Sequence, residues 1–125
     1  MSKQQTILVV DDCHSVRLAI QNILLESGYA AVLARNGKEA LQSLTEDVAA
    51  IVLDINMPEL DGFGFCEQLV QMGPAYQEIP VIILTNHFSE AVESLGNELG
   101  ACLSKPVSKE DMICAIESLT AHAGM

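Results

Sequence analysis

Apolar residues along this chain follow two alternating rhythms. Short continuous runs, TILVV (6–10), AAVLA (30–34), AIVL (50–53), VIIL (81–84) and a brief CLS (102–104), read as strands. Central runs this uniformly apolar suit a parallel sheet covered on both faces. Between them, apolar residues recur at three- and four-residue intervals, the period of a helix with one buried face. The first helix, about 14–27, carries Val16, Ile20, Ile23 and Leu24 on one face and stops at Gly28. The second begins at Asn36 with Glu39 three residues on, a capping-box-like pair, and carries Leu41 and Leu44. The third, about 62–72, is expected to bury Cys66, Leu69 and Val70. The fourth, about 89–99, is expected to bury Val92, Leu95 and Leu99. Its Gly96 costs about 1 kcal/mol relative to alanine. The fifth starts at Ser108 with Asp111 three on and carries Met112, Ile116 and Leu119. The connection MGPAYQEIP (72–80) is the longest, marked by a glycine and two prolines.

Five strand–helix units in series predict a doubly wound α/β sheet. Right-handed crossovers leave few topologies. Ligands of such sheets bind beyond the C-terminal ends of the strands. The residues there are Asp11 and Asp12 after strand one, Asp54 and Asn56 after strand three, Thr85, Asn86 and His87 after strand four, and Lys105 and Pro106 after strand five. Three acids, a hydroxyl and a lysine thus gather on one edge.

Composition narrows what that edge can meet. The 125 residues suit one domain (1–125), and half of them are apolar, enough for a core. The formal charge of −11 argues against binding nucleic acid or an anionic membrane surface. It is compatible with divalent cations or with a basic patch on a protein. The opening MSKQQTILVVDD lacks the form of a signal peptide, and no apolar stretch is long enough to cross a bilayer. Cys13, Cys66, Cys102 and Cys114 show no C-x-x-C spacing, so they read as small core fillers in a reducing compartment, with the cytoplasm as the expected location.

Three neighbouring carboxylates repel, each close pair by on the order of 4 kcal/mol at an effective dielectric near 20. A hard cation such as Mg²⁺, or Mn²⁺, would relieve that with oxygen ligands. Asp12 and Asp54 are the expected direct ligands, Asp11 acts through water, and the Asn56 carbonyl completes the protein's share. Lys105 adds a second positive charge near Asp54, and Thr85 can donate its hydroxyl to a phosphoryl oxygen. A carboxylate flanked by a cation and a lysine is arranged to attack phosphorus.

The set VVDD (9–12), LDINMPELDG (53–62), ILTN (83–86) and GACLSKP (100–106) resembles the receiver domain of two-component response regulators, in order and over essentially the whole chain. The resemblance implies a flavodoxin-like fold with strand order 2-1-3-4-5. It implies that Asp54 accepts a phosphoryl group from a histidine kinase or histidine phosphotransfer protein. Asp11 and Asp12 would then hold Mg²⁺, Thr85 and Lys105 would contact the phosphoryl group, and the Lys105–Pro106 bond would be cis. Output would pass to a downstream protein target, with no output domain in the chain, and a homodimer is left open. The chain would not be an enzyme beyond catalysing its own phosphorylation and dephosphorylation.

Two departures bear on signalling. Asn86 and His87 follow Thr85 where the family usually has a small residue first. Cys102 stands where the family often has the aromatic residue that reports movement of the threonine. Phosphoryl-induced change is therefore expected at 85–88 and the start of the fourth helix.

Simpler readings compete. Asp11-Asp12 alone would pass for a helix cap, but Asp54 and Lys105 in register favour a site. Asp61 reads as a turn residue before Gly62, and Pro58 as shaping the same loop. His14, His87 and His122 read as surface or tail residues, and Phe63, Phe65 and Phe88 as packing. A flavodoxin would need a phosphate cradle where two acids stand. A haloacid-dehalogenase-type phosphatase would carry its nucleophile after strand one. A phosphorylation-independent adaptor, or a receiver fragment of a larger regulator or hybrid kinase, remains an alternative.

Overall fold

The computed structural model describes residues 4–55, 62–86 and 89–123. Asn56, Met57, Pro58, Asp61, His87 and Phe88 lie outside the described residues, as do the side chains of Gly62, Phe63, Cys66 and His122. Five parallel strands form one sheet: β1 Thr6–Val10, β2 Ala30–Ala34, β3 Val48–Asp54, β4 Val81–Thr85 and β5 Gly100–Ser104. Their order is β2-β1-β3-β4-β5, so the chain winds outward from β1 in both directions. Helices α1 His14–Glu26, α2 Gly37–Ser43, α3 Gly62–Gln71, α5 Glu90–Leu99 and α6 Lys109–Ala123 follow the five strands in turn, with a one-turn α4, Pro74–Gln77, before β4.

Alternation along the strands builds two cores. Leu8 and Val10 of β1 join Ile51, Leu53 and Ile83 beneath Phe65, Leu69 and Val92, on the α2, α3 and α5 side. Ile7 and Val9 join Val52, Ile82 and Leu84 beneath Ile20, Leu24, Met112 and Ile116, on the α1 and α6 side. Both faces of the sheet are therefore dry, which is why the strand runs read as continuous apolar segments. Each fully buried aliphatic side chain contributes about 1.5–3 kcal/mol.

Several expectations change in detail. Val70 is 53% exposed, because the buried stripe of α3 runs through Phe65 and Leu69, four residues apart, and Val70 lies more than a quarter of a turn off it. Leu44 is buried but outside α2, as its C-cap residue. α4 occupies the connection read as irregular, with Pro74 at its first turn, where a missing N–H costs nothing. Cys13 and Cys114 are exposed thiols rather than core fillers. Cys13 is the N-cap residue of α1, and Cys114 points away from the Met112–Ile116 stripe of α6. The Asn36 side chain does accept from the Glu39 N–H, at 2.7 Å, but the Glu39 carboxylate accepts from Arg35 rather than from the cap residue itself. Those Arg35 contacts, its backbone N–H first, hold the Glu39 carboxyl below its ordinary value.

Candidate functional site

Parallel register brings the strand ends to one edge. Val10 is level with Leu53 across β1 and β3, so Asp11 follows β1 where Asp54 ends β3. Asp54 is level with Leu84, and Thr85 with Ser104, so Thr85 and Lys105 complete the same edge. Asp11, Asp54 and Thr85 are buried, at 0%, 4% and 1% exposure, while Asp12 faces solvent. The carboxylates of Asp11, Asp12 and Asp54 each place an oxygen within 4.8 Å of the others.

Lys105 closes the group. Its ammonium lies 2.9 Å from Asp11 Oδ2 and 3.4 Å from Asp54 Oδ2. The lysine is aimed by its backbone, whose N–H donates to the Thr85 carbonyl at 2.9 Å, and the following Lys105–Pro106 bond is cis. Burial is the largest single influence on its pKa and pulls it down. The contact with Asp11 and the charges of Asp11 and Asp54 outweigh that together, so the lysine titrates above its ordinary value and stays charged at neutral pH.

Asp11 is held from several sides. Its N–H donates to the Ala34 carbonyl at 3.1 Å, and its Oδ1 accepts from the Cys13 N–H at 2.9 Å. That local turn is what survives of the capping reading, since α1 has no side-chain cap. Its Oδ2 is shielded from solvent and has the Lys105 ammonium as its partner. Three carboxylates against one ammonium leave the edge net negative. Three hard oxygen donors within 4.8 Å of one another, net negative beside that ammonium, fit a divalent cation.

The structure thus gathers Asp11, Asp12, Asp54, Thr85 and Lys105. Asn56, the remaining expected ligand, lies outside the described residues. Asn86 is exposed and lines, with Asp12, Asp54 and Lys105, the polar end of a cavity of about 530 Å³ that runs on between α1 and Val107. Sequence reasoning missed Arg17. It is 8% exposed, and its Nη1 donates to the Asp11 carbonyl at 2.7 Å. The signal was present: Arg17, Ile20 and Leu24 share one helical stripe, so the arginine falls on the inward face.

Fold and site together define a class, the flavodoxin-like α/β domain whose switch-point edge carries an acid cluster and a lysine. The family follows from comparison. A family model described as the response regulator receiver domain matches residues 7–117. The response regulator MprA of Mycolicibacterium vanbaalenii is 37% identical over 116 residues, covering 90% of this chain and 49% of that protein. The chain therefore spans about half the length of the curated relatives it matches. Chemotaxis protein CheY4 of Vibrio cholerae superposes with a TM-score of 0.82 at 30% identity, over 94% of this chain and 99% of that one. A signal receiver domain of a histidine kinase from Syntrophus aciditrophicus gives 0.81 at 32% identity, over 94% and 91%. This chain belongs to the response regulator receiver family. No helix among the described residues is long and apolar enough to cross a membrane.

Proposed function

We propose that the chain is a cation-dependent phosphoacceptor switch, with Asp54 as the nucleophile. The observation that carries this is the Lys105 ammonium, 3.4 Å from a 4%-exposed Asp54 carboxylate that two further acids face. The donor is a phosphohistidine on a histidine kinase or histidine phosphotransfer protein. An Asp54 oxygen attacks phosphorus, the P–N bond breaks, and its electron pair stays on the imidazole nitrogen, which takes up a proton. An acyl phosphate results, and water later returns the free carboxylate and inorganic phosphate.

Asp12 and Asp54 would hold Mg²⁺ or Mn²⁺, with Asp11 behind them, and the bound cation would offset the charge of the acids and of the incoming phosphoryl oxygens. Lys105 supplies the fixed positive charge on the other side, and the Thr85 hydroxyl is the donor for a phosphoryl oxygen. The chain acts on no substrate but itself, and its output is a contact with a downstream protein.

Intact-mass measurement after incubation with a small acyl-phosphate donor tests this. One phosphoryl group is expected with Mg²⁺ and none without it. Asp54→Asn should take up none, because an amide is a poor nucleophile. Equal labelling of that variant would show that the acceptor is elsewhere. A chain that takes up no phosphoryl group under any condition would be better described as a phosphorylation-independent adaptor.

A further inference from the structure

We infer that Arg17 is a positioning residue for the cation-binding acids, acting by holding the peptide group between Asp11 and Asp12. The inference rests on the phosphoacceptor reading of the centre. A buried guanidinium is costly unless its hydrogens are used. Arg17 is 8% exposed, yet no carboxylate of the described residues forms an ion pair with it. Among the described residues its side chain bonds instead to a backbone carbonyl and a ring nitrogen: Nη1 donates to Asp11 O at 2.7 Å, and Nη2 to His14 Nδ1 at 3.3 Å.

That carbonyl belongs to a planar unit whose other end is the Asp12 N–H. The opposite side of Asp11 is already fixed by Ala34, and its side chain by Cys13 and Lys105. Asp12 differs. It is exposed, and no hydrogen bond of its side chain is seen among the described residues, so its direction follows from its backbone. Arg17 is the group that sets the plane from which Asp12 leaves. Without it the Asp11 carbonyl would be buried with no donor, and rotation of the peptide to find one would swing Asp12 away from Asp54.

The charge of Arg17 works the other way. A fixed positive charge beside the centre opposes cation binding, so its removal alone would tighten the site. Positioning and charge therefore predict opposite signs, and the sign of the change decides between them.

The experiment uses the full chain and Mn²⁺ or Mg²⁺ as the probe. Cation binding is measured by titration calorimetry, and acyl-phosphate labelling is followed as cation concentration is varied. Arg17→Met should bind cation about tenfold more weakly or worse. The cation concentration for half-maximal labelling should rise by the same factor, while labelling at saturating cation stays within about twofold of the unsubstituted chain. Arg17→Lys, which keeps a donor for the carbonyl, should recover most of the affinity. Should Arg17→Met fail to fold by circular dichroism, Arg17→Leu, likewise without a donor or a charge, takes its place with the same expected direction. Unchanged or tighter cation binding in the charge-removing variant overturns the inference alone. An unsubstituted chain that takes up neither cation nor phosphoryl group overturns the phosphoacceptor reading and this inference with it.

Discussion

Asp12 is the one member of the acid trio without the lysine. Lys105 pairs with Asp11 and Asp54, whereas Asp12 contributes repulsion and little else in the absence of a cation. Asp12→Asn should therefore raise stability without divalent ions, by on the order of 0.5 kcal/mol because the group is solvated. Urea unfolding at low ionic strength measures this, and a loss of stability would mean that Asp12 has an attractive partner. The cysteines differ in the same local way. Burial, and then the charge of Glu93, push the Cys102 thiol above its ordinary value, while Cys13 and Cys114 are exposed. A raised pKa means less thiolate at any given pH. Alkylation at neutral pH should mark Cys13 and Cys114 well before Cys102, which is both less exposed and less ionised than a free thiol. Peptide mapping that found Cys102 modified first would contradict this.

Gly96 gains a reason at the scale of the element. In sequence it is a weak point in a helix. In the fold, a Cβ on Gly96 would stand 2.6 Å from Cys102 Cβ and 3.2 Å from the Ala101 carbonyl, so the glycine lets α5 lie directly on β5. Neither neighbour is the far end of a flexible side chain. Gly96→Ala should thus destabilise by about 1–3 kcal/mol, overriding the gain of about 1 kcal/mol in helix propensity. Thermal or denaturant unfolding would check it, and a more stable variant would mean that α5 can lift from the sheet at little cost. The elements themselves were legible because each strand run is apolar on both faces and each long helix has a clean stripe. α4 was not, since four residues are too few to show a period. Nor was the exposure of Val70, where adjacent apolar residues leave the phase of the stripe ambiguous. The acids and Lys105 stood out because carboxylates at the ends of apolar runs have no packing reason to be there. Arg17 was passed over because charged side chains inside helices are ordinarily solvated, and only the neighbouring strand shows where its hydrogens go.

At the scale of the whole molecule, the phosphoacceptor role proposed for Asp54 requires a route from the site to a surface. Thr85 ends β4 beside the site, its carbonyl holds the Lys105 N–H, and Ser89 caps α5 through the Val92 N–H at 3.2 Å. We hypothesise that the segment from Asn86 to Val92 responds more than β5, because the small Cys102 has no ring to swing inward when Thr85 moves. Amide hydrogen exchange with and without a phosphoryl mimic under Mg²⁺ should show changed protection from Asn86 to Val92 and little near Cys102. Identical exchange in the two states would remove the support for a phospho-switch output.

The centre draws its acids from the ends of β1 and β3 and its ammonium from beyond β5, so the acids precede their counter-charge along the chain. During synthesis β1 and β3, which lead to the carboxylates, leave the ribosome before Lys105, which follows the fifth strand of this sheet. A nascent chain therefore presents acids with no counter-charge and an edge with no floor. The order of emergence leaves the acid trio uncompensated until β5 and the turn after it have been made.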